Sequence, residues 1–384
     1  MDLLAGLRAG LDARRAGGLY RRRRLLEGAQ GPRPVVDGRR YLAFCSNDYL
    51  GLAAHPAVVA AWRRAAEAYG VGAGASHLVC GHHREHQALE EALADFVGAE
   101  AALLFSTGYM ANLGVVTSLA GRGDLVLADR LNHASLNDAC LLSRARLVRY
   151  PHLDLAWLGE RLAGREGRAL VVTDAVFSMD GDRAPLGALA AAVAGQGWLV
   201  ADDAHGFGVL GPQGRGSLAE GGLTPSGPVV LMGTLGKACG VFGAFVAGDR
   251  VLVETLVQQA RTYIYTTALP PALAAALRAA LAVLAEADEA RGHLFDLVAR
   301  FRRGAEALGL PLAESSTPIQ PLVVGDSRRA LALARALESR GILVVPIRPP
   351  TVPEGTARLR ITFSAAHRPE DVDRLLEALA EIGR

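Results

Sequence analysis

The sequence predicts an α/β fold: a larger domain built on a mainly parallel sheet, followed by a smaller α+β domain. Three observations lead to this prediction. Through the middle of the chain, short apolar stretches alternate with stretches of helical periodicity, which is typical of parallel strands covered by helices on both faces. At 384 residues the chain exceeds what one hydrophobic core usually supports. After a long Ala/Leu-rich stretch that begins at Ala272, the order of strands and helices changes.

The N-terminal segment, residues 1–44, is expected to pack with the smaller domain. Residues 3–27 have the periodicity of an amphipathic, arginine-rich helix, and a short strand is predicted at Tyr41–Phe44. The segment contains the run Arg21–Arg24, but the formal charge of the whole chain is only +2. Because a nearly balanced chain creates no global field for nucleic acid or an anionic membrane, neither is a predicted partner.

The large domain is predicted over residues 45–285. Its first elements are a polar loop at Ser46–Gly51, a helix after His55–Pro56, a small-residue loop at Gly70–Gly81 and a helix at about His86–Val97. The predicted strands of its sheet are Ala102–Phe105, Leu125–Ala128, Leu147–Tyr150, Ala169–Thr173, Leu199–Ala201, Val229–Met232 and Ala244–Ala247. Helices between them are predicted at Tyr109–Leu119, Leu153–Ala163 and Leu186–Ala194. The short loop before the last strand favours an antiparallel orientation for that strand.

The small domain is predicted over residues 286–384. A single long helix is expected to run from Ala272 toward Phe301 and beyond. The elements predicted after it are a strand at Ile319–Val324, a helix at Arg328–Arg340, strands at Leu343–Ile347 and Leu359–Thr362, and a final helix from Pro369.

Cysteine and histidine spacing exclude several kinds of site. The four cysteines are scattered without a CxxC pair, which argues against a disulfide framework or a zinc site and is typical of the reducing cytoplasm. Neither a secretory signal nor an apolar run of the ~18 residues that span a membrane is expected. His82, His83 and His86 are not joined by further ligand residues in the sequence, so no metal site is predicted. His86 is instead expected to pack or form hydrogen bonds at a helix start.

One residue stands out in the composition, because Lys237 is the only lysine among the 41 Lys and Arg residues. Arg stays protonated near neutral pH, whereas a desolvated Lys can lose its proton, and a free amine can form a Schiff base with a carbonyl compound. The loop Gly233–Gly240 that carries Lys237 follows the strand predicted at Val229–Met232. This loop is not a P-loop, because Leu231 and Ala238 stand where that motif requires Gly and Ser or Thr.

Polar residues gather where the predicted strands end. In open α/β sheets, ligands bind beyond the carboxyl ends of the strands. The groups at those ends are Ser106–Tyr109 at a helix start, Asp129–His133, Asp174 with Ser178, Asp202–Gly206, and Lys237. A helix start offers free N–H groups to a phosphate. A phosphate cradle, a carboxylate, two imidazoles and one amine are therefore expected at one edge of the sheet.

Pyridoxal phosphate accounts for each of these groups. Its aldehyde can take the Lys237 amine as an imine, and Asp202 can keep its ring nitrogen protonated. His205, three residues after Asp202, can reach the phenolic oxygen, and His133 can stack on the exposed ring face. The predicted phosphate contacts are Thr234 and the backbone amides of Gly108 and Tyr109.

The chain resembles the α-oxoamine synthase family of fold type I pyridoxal-phosphate enzymes. The motifs that carry the resemblance are Ser46–Gly51, Asp129–Ser135, Phe177–Asp182, Asp202–Gly206, Thr234–Lys237 and Ile347–Pro353. The resemblance covers essentially the whole chain. It implies a fold type I PLP-dependent transferase.

The resemblance implies a decarboxylative condensation of L-alanine with a pimeloyl thioester in biotin biosynthesis, with Lys237 as the base for the α-proton of alanine. The stretch Arg348–Pro353, with Arg358–Arg360 after it, points to this branch of the family. Arg360 matches the family arginine that holds the amino-acid carboxylate, a bidentate task suited to guanidinium. The other substrate-side positions are Arg21, Asn47 and Arg348, and Ser178 matches a residue near the ring oxygen and the thioester carbonyl.

The family's active sites lie at a homodimer interface, so the resemblance implies that Thr266 and Thr267 reach the neighbouring subunit's phosphate. Two positions depart from the family pattern: Asp174 stands where relatives carry Glu, and His77 where they often carry Arg or Gly. Both departures concern the acyl substrate. The choice between CoA and acyl carrier protein as the thioester carrier stays open.

Three other functions are also compatible with the fold. The first is another α-oxoamine synthase, such as glycine C-acetyltransferase. The second is a simple aminotransferase, which would need no thioester. The third is a non-catalytic partner subunit, against which the presence of Lys237, His133 and Asp202 argues.

Overall fold

A computed structural model describes residues 3–164 and 167–382 of the chain. The outer limits of the predicted domains, residues 1 and 384, lie outside the described residues. The strands are β1 (Leu26–Glu27), β2 (Val35–Val36), β3 (Arg39–Arg40), β4 (Leu42–Ala43), β5 (Ala101–Phe105), β6 (Leu125–Asp129), β7 (Arg146–Tyr150), β8 (Ala169–Asp174), β9 (Gly197–Asp202), β10 (Val229–Thr234), β11 (Ala244–Gly248), β12 (Ile319–Gly325), β13 (Ile342–Leu343), β14 (Val345–Ile347) and β15 (Ala357–Thr362). The helices are α1 (Leu3–Ala16), α2 (Pro56–Tyr69), α3 (Arg84–Val97), α4 (Gly108–Leu119), α5 (Ala134–Ser143), α6 (Leu155–Leu162), α7 (Leu186–Val193), α8 (Ser217–Glu220), α9 (Arg250–Gln259), α10 (Arg261–Ile264), α11 (Pro271–Ala285), α12 (Asp288–Ala307), α13 (Ser327–Ser339) and α14 (Pro369–Ile382).

Seven strands form the central sheet, in the order β5-β11-β10-β9-β8-β6-β7. The strands from β10 to β7 pair in parallel, whereas β11 runs antiparallel to both of its neighbours, β10 and β5. The prediction of a mainly parallel sheet is therefore confirmed, together with the antiparallel orientation favoured for its last strand. The parallel arrangement brings the carboxyl ends of β6, β8, β9 and β10 to one edge.

Alternate residues of each central strand enter two different cores. Leu125 and Leu127 of β6 lie in one core, and Val126 and Ala128 lie in the other. This follows from strand geometry, in which successive side chains point to opposite faces of the sheet. Helices α3, α6, α7 and α11 close the first core, and α4, α5 and α9 close the second. Burial on both faces explains why these strands appear in the sequence as continuous apolar runs.

The C-terminal part of the chain has its own antiparallel sheet, in the order β12-β15-β14. Helix α13 packs against this sheet, and α14 packs on α12 and α13. The N-terminal segment joins this part, because β4 pairs in parallel with β13. In addition, Arg24 forms an ion pair of 2.9 Å with Glu338 of α13.

Two predicted helices differ in the structure. The helix predicted over residues 3–27 is wrong beyond Ala16, because Gly18 has a φ of +66° and turns the chain out of the helix. Residues 19–25, including the arginine run, form no regular element. The long helix predicted from Ala272 is two helices, α11 and α12. Arg291 of α12 donates from Nη1 to the carbonyl oxygen of Leu284 at 2.8 Å, so it satisfies a carbonyl at the end of α11.

Within the ranges 3–164 and 167–382, no helix has both the length and the apolar character needed to cross a bilayer.

Candidate active site

The polar residues predicted at the strand ends do meet in space. A cavity of about 80 Å³ opens at the carboxyl edge of the central sheet. It is lined by Gly108, Tyr109, His133, Ser135, Asp174, Ser178, Asp202, Ala204, His205, Met232, Thr234 and Lys237. Eight of these residues were predicted as catalytic or cofactor-binding from the sequence.

Lys237 reaches this cavity from the loop after β10, and its side chain is half-buried. Its Nζ lies 2.9 Å from Nε2 of His205. Burial lowers the pKa of Lys237 to about 8, although Asp202 and Asp174 partly oppose the shift by favouring the ammonium form. A substantial fraction of the side chain is therefore a free amine at mildly alkaline pH.

His205 is held from its other side by Tyr49. The Tyr49 hydroxyl lies 2.6 Å from His205 Nδ1. Burial, followed by the charge of Lys237, lowers the pKa of His205 well below its usual value, so the ring is neutral. When Tyr49 donates to Nδ1, the ring proton sits on Nε2 and can be donated to Lys237 in its free-amine form; the ammonium form of Lys237 instead donates to Nε2 of the other tautomer. Tyr49 therefore orients His205, a role that the sequence reasoning did not assign.

Asp202 ends β9 and is buried. Its Oδ2 accepts a hydrogen bond of 2.7 Å from Asn112 Nδ2, and its Oδ1 accepts one of 3.0 Å from the backbone N–H of Ala204. Asn112 also donates to Ser135 Oγ at 2.9 Å. Asn112 is not among the residues predicted from the sequence, although a polar residue on the otherwise apolar inner face of the helix at 108–119 is a signal for it.

His133 lies at the start of α5, opposite Asp174 of β8. The backbone N–H of His133 donates to Asp174 Oδ2 at 2.8 Å, and its Nδ1 is 2.7 Å from Ser135 Oγ. Burial lowers the pKa of the His133 ring. Burial, followed by the neighbouring charge of Asp202, raises the pKa of Asp174 well above its usual value. The Asp174 carboxyl therefore ionises less readily than an exposed carboxyl, which limits the negative charge beside Asp202.

The first turn of α4 faces the same cavity. Thr107 caps this helix by accepting a hydrogen bond of 3.2 Å from the backbone N–H of Met110. The N–H groups of a first helical turn have no acceptor within the helix, and the helix dipole favours an anion there. Thr234 brings its hydroxyl to the same cavity and donates to the carbonyl oxygen of Gly243 at 3.2 Å.

Arg360 lies on β15 and approaches the cavity from the C-terminal sheet. Its Nε donates to the carbonyl oxygen of Ser178 at 2.6 Å, and its Nη1 donates to Asn47 Oδ1 at 3.2 Å. Its Nη2 is buried and has no hydrogen-bond partner among the described residues. A buried donor without a partner is costly unless a ligand supplies an acceptor. Arg360 is thus well suited to receive a carboxylate.

The remaining predicted residues lie outside this cavity. Arg21 and Arg348 line a second cavity of about 750 Å³ between the N-terminal segment and residues 343–351. Arg348 also donates from Nη1 to the carbonyl oxygen of Gly18. Thr266 and Thr267 follow α10, and Thr267 forms an isolated β-bridge with Ser76.

The side chains of His77, His82 and His86 come together, with one ring nitrogen from each within 4.8 Å of the others. Both nitrogens of His86 are already engaged, because Nδ1 accepts from the backbone N–H of His83 at 2.9 Å and Nε2 lies 2.7 Å from the carbonyl oxygen of Leu269. His77 Nδ1 lies 2.9 Å from His82 Nδ1. These contacts give His86 the hydrogen-bonding role at a helix start that the sequence predicts, and they leave it no lone pair for a metal.

Gly240 fixes the loop that carries Lys237. Its φ is +69°, and a Cβ there would overlap backbone atoms of Leu52 and Ala53. We expect Gly240→Ala to destabilise the protein by about 1–3 kcal/mol for the backbone strain alone, measured as a lower melting temperature. Gly236→Ala is the matched control, because a Cβ at Gly236 would have only Thr234 Oγ1, at 3.9 Å, within reach. Equal melting temperatures for the two variants would contradict this expectation.

Comparison with known proteins identifies the family. A model of the family "Aminotransferase class I and II" matches residues 39–379. The chain belongs to this family. Two of the similar curated proteins are named 8-amino-7-oxononanoate synthase. The one from Thioalkalivibrio sulfidiphilus is 61% identical and covers 97% of this chain and 96% of the relative. The one from Pseudomonas paraeruginosa is 62% identical, and the match covers 97% of this chain and 94% of the relative.

Solved structures agree with this aminotransferase fold. A serine palmitoyltransferase from S. paucimobilis with a bound PLP–myriocin aldimine superposes with a TM-score of 0.93 at 33% identity, covering 100% of this chain and 99% of the other. An 8-amino-7-oxononanoate synthase from Francisella tularensis superposes with a TM-score of 0.80 at 31% identity, covering 89% and 98%. The predicted fold type I architecture and the resemblance to the α-oxoamine synthases are confirmed.

Proposed function

We propose that the protein condenses L-alanine with a pimeloyl thioester in biotin biosynthesis, using pyridoxal phosphate as cofactor. The products are 8-amino-7-oxononanoate, carbon dioxide and the free thiol. The observation that carries the proposal is the Lys237 amine, 2.9 Å from His205 Nε2 in a cavity that Asp202 and His133 also line. Relatives 61% and 62% identical bear the name of the synthase that makes this product.

The residues of the cavity fit pyridoxal phosphate. Lys237 would hold its aldehyde carbon, and the buried carboxylate of Asp202 would hold its protonated ring nitrogen. The phosphate would be held by Thr234 and the first-turn amides of Gly108 and Tyr109, and the His133 ring would lie against the cofactor ring. When bound, pyridoxal phosphate supplies a conjugated ring that takes up the negative charge left by loss of the alanine α-proton.

Lys237 accepts and donates the protons that move during the reaction. Once alanine has taken the place of Lys237 at the cofactor's aldehyde carbon, Lys237 Nζ, partly deprotonated because burial lowers its pKa to about 8, would accept the α-proton of alanine. The same nitrogen can return a proton to that carbon after carbon dioxide has left. With Tyr49 donating to Nδ1, His205 would carry its proton on Nε2 and could donate it to the cofactor's phenolic oxygen. Ser178 lines the same cavity, on the side where the acyl carbonyl would lie.

Arg360 binds the alanine carboxylate through Nη2, the buried donor without a protein partner. Lysine cannot reproduce the two-pronged geometry of guanidinium. We therefore expect Arg360→Lys to raise the KM for L-alanine roughly 5–30-fold, corresponding to a loss of one or two kcal/mol. Steady-state kinetics with varied L-alanine measure this.

The control for Arg360→Lys is Arg302→Lys. Arg302 donates from Nη1 to Gln320 Oε1 at 2.8 Å and to two carbonyl oxygens, and it does not line the cavity. We expect the KM of this control to stay at the wild-type value. An unchanged KM in Arg360→Lys would remove Arg360 from the carboxylate site.

The acyl thioester would approach through the second cavity. The arginines that line it are Arg14, Arg21, Arg22, Arg24, Arg335 and Arg348. Such a lining suits the anionic groups of an acyl carrier, whether CoA or acyl carrier protein. Arg21 and Arg348 are the substrate-side residues that we assign to it.

We also propose a homodimer with shared active sites, in which Thr266 and Thr267 approach the phosphate of the partner subunit. Val71, Val79 and Tyr265 support this interface, because their side chains are 88%, 77% and 72% exposed on segments joined by the Ser76–Thr267 bridge. Large exposed apolar side chains close together mark interaction surfaces.

We further propose a division into an N-terminal segment (1–44), a large domain (45–285) and a small domain (286–384). The pairing of β4 with β13 supports the docking of the N-terminal segment on the small domain. We place the protein in the cytoplasm, in keeping with its four free cysteines.

The experiment that tests the proposed reaction supplies the holoenzyme with L-alanine and pimeloyl-CoA, or with glycine and acetyl-CoA. Released carbon dioxide and product mass are measured in both. We expect turnover with L-alanine and pimeloyl-CoA to give 8-amino-7-oxononanoate. Turnover only with glycine and acetyl-CoA would instead assign a glycine C-acetyltransferase.

A further inference from the structure

His152 lies between two carboxylates just outside the active-site cavity. Its Nδ1 is 2.9 Å from Asp129 Oδ1, and its Nε2 is 2.6 Å from Asp182 Oδ2. Ionised carboxylates only accept hydrogen bonds, so an imidazole that bonds to both carries a proton on each nitrogen. The geometry therefore makes His152 an imidazolium.

The surroundings of His152 favour this charged form. Burial disfavours the cation, but the hydrogen bonds to Asp129 and Asp182 outweigh it and raise the pKa of His152 to about 9. The Phe177 ring packs edge-to-face with the His152 ring, with ring centroids 4.5 Å apart and planes at 87°. Asp129 also faces Tyr150 and Asp174; burial raises the pKa of each, and the charge of Asp129 adds to the shift.

Asp129 is a rigid anchor for His152. It ends β6 and is fully buried. Its Oδ1 accepts from the backbone N–H of Leu131 and its Oδ2 from that of Leu153, both at 2.9 Å. His152 is thus tied to the frame of the central sheet.

Asp182 is the last residue of a hydrogen-bonded turn, residues 177–182, which we call the 177–182 loop. The backbone N–H of Phe177 donates to the carbonyl oxygen of Asp182 at 3.0 Å, and that of Gly181 donates to the carbonyl oxygen of Phe177 at 2.8 Å. Among the described residues, Asp182 Oδ1 is buried without a hydrogen-bond partner. His152 therefore supplies the compensating charge for the Asp182 carboxylate.

Backbone carbonyl oxygens of the 177–182 loop accept hydrogen bonds from side chains of the C-terminal part of the chain. The carbonyl oxygen of Ser178 accepts from Arg360 Nε at 2.6 Å, and that of Met179 accepts from Arg358 Nη1 at 3.2 Å. The carbonyl oxygen of Gly181 accepts from Ser315 Oγ at 2.9 Å. The position of the Ser178 carbonyl thus sets the direction in which the Arg360 guanidinium points.

We propose that His152, clamped between Asp129 and Asp182, is a positioning residue for Arg360 that acts through the 177–182 loop. Its charge fixes the loop to the central sheet, and the loop fixes the guanidinium that receives the amino-acid carboxylate. The effect on L-alanine rests on the proposed function; the effect on the loop does not.

The first test of the proposal uses stability and no substrate. A histidine whose pKa is raised on folding stabilises the protein fully below its unfolded pKa of ~6.5, and this contribution is lost as the pH rises through about 9. Melting temperatures of the wild-type holoenzyme and His152→Gln are compared at pH 6 and pH 9.5. Between these two pH values, we expect the melting temperature of the wild type to fall by about 2–4 °C more than that of the variant. Parallel pH profiles would overturn the proposal.

The second test separates positioning from a merely structural role. At pH 7.5, we expect His152→Gln to raise the KM for L-alanine roughly 5–30-fold, with a smaller change in kcat. His293→Gln is the matched control, since His293 is a partly buried histidine that bonds through Nε2 to the carbonyl oxygen of His367, away from the loop. A fall in kcat without a change in KM would contradict positioning of Arg360.

Asp182→Asn keeps the test decisive should His152→Gln fail to fold. It preserves the shape of Asp182 but removes one of the two charges that hold the proton on His152. We expect the pH at which the extra stability disappears to move below the wild-type value. An unchanged profile would overturn the proposal. A protein that shows the stability effect but does not use L-alanine would contradict the proposed reaction alone.

Discussion

Replacing Lys237 with alanine should lower turnover of L-alanine and pimeloyl-CoA by at least about 10⁴-fold, the upper range for loss of a general acid–base group. The chain contains no second lysine to substitute for it. The nearest group, His205, is neutral because burial lowers its pKa. The fold should persist, since Lys237 is half-buried in a loop beyond β10. Steady-state turnover and thermal melting measure the two effects.

Lys237→Arg is the matched variant for this experiment. It keeps a positive charge of similar reach in the cavity, but guanidinium does not lose its proton near neutral pH. We expect it to be as inactive as the alanine variant, because the reaction needs a free amine and not a charge. Turnover close to wild type in either variant would exclude Lys237 as the amine.

Asp202→Asn should lower turnover roughly 10²–10³-fold, a loss comparable to that of a single preorganised electrostatic group. The substitution keeps the shape and one acceptor oxygen, so one of the two donors, Asn112 Nδ2 or the Ala204 amide, keeps its partner. What it removes is the negative charge that would keep the cofactor's ring nitrogen protonated. The measurement is kcat at saturating L-alanine and pimeloyl-CoA.

Asp203 offers a neighbouring control for Asp202. It is also buried, and burial raises its pKa to about 7. However, its Oδ2 accepts a hydrogen bond of 2.7 Å from the backbone N–H of Ser217, and its Oδ1 accepts one of 2.5 Å from Ser217 Oγ. Asp203 does not line the cavity. We expect Asp203→Asn to lower the melting temperature and leave kcat near the wild-type value. The reverse pattern would assign the cofactor role to Asp203.

The sheet and the residues at its edge could be predicted from the sequence because each is a local signal. β6 and β8 are buried along their whole length, so they appear as apolar runs, and a polar residue such as Asp202 marks the end of such a run. Lys237 was visible as the single lysine of an arginine-rich chain.

The hydrogen bonds that orient these groups could not be predicted, because they join distant residues. Tyr49 and His205 are 156 positions apart, and Arg360 and Ser178 are 182 apart. No periodicity or local motif records such a pairing. The error in α1 has a different cause: the amphipathic pattern continues past Gly18, but the left-handed backbone there ends the helix.

The most direct test of the central claim, that the Lys237 amine holds the cofactor's aldehyde, is reductive trapping. The holoenzyme is treated with borohydride, which makes an imine linkage permanent, and the protein is digested and mapped by mass spectrometry. We expect one phosphopyridoxyl group per chain, on the peptide that contains Lys237, and none in Lys237→Arg. A group found elsewhere, such as on the N-terminal amine, or an unmodified Lys237 in the holoenzyme, would contradict the claim.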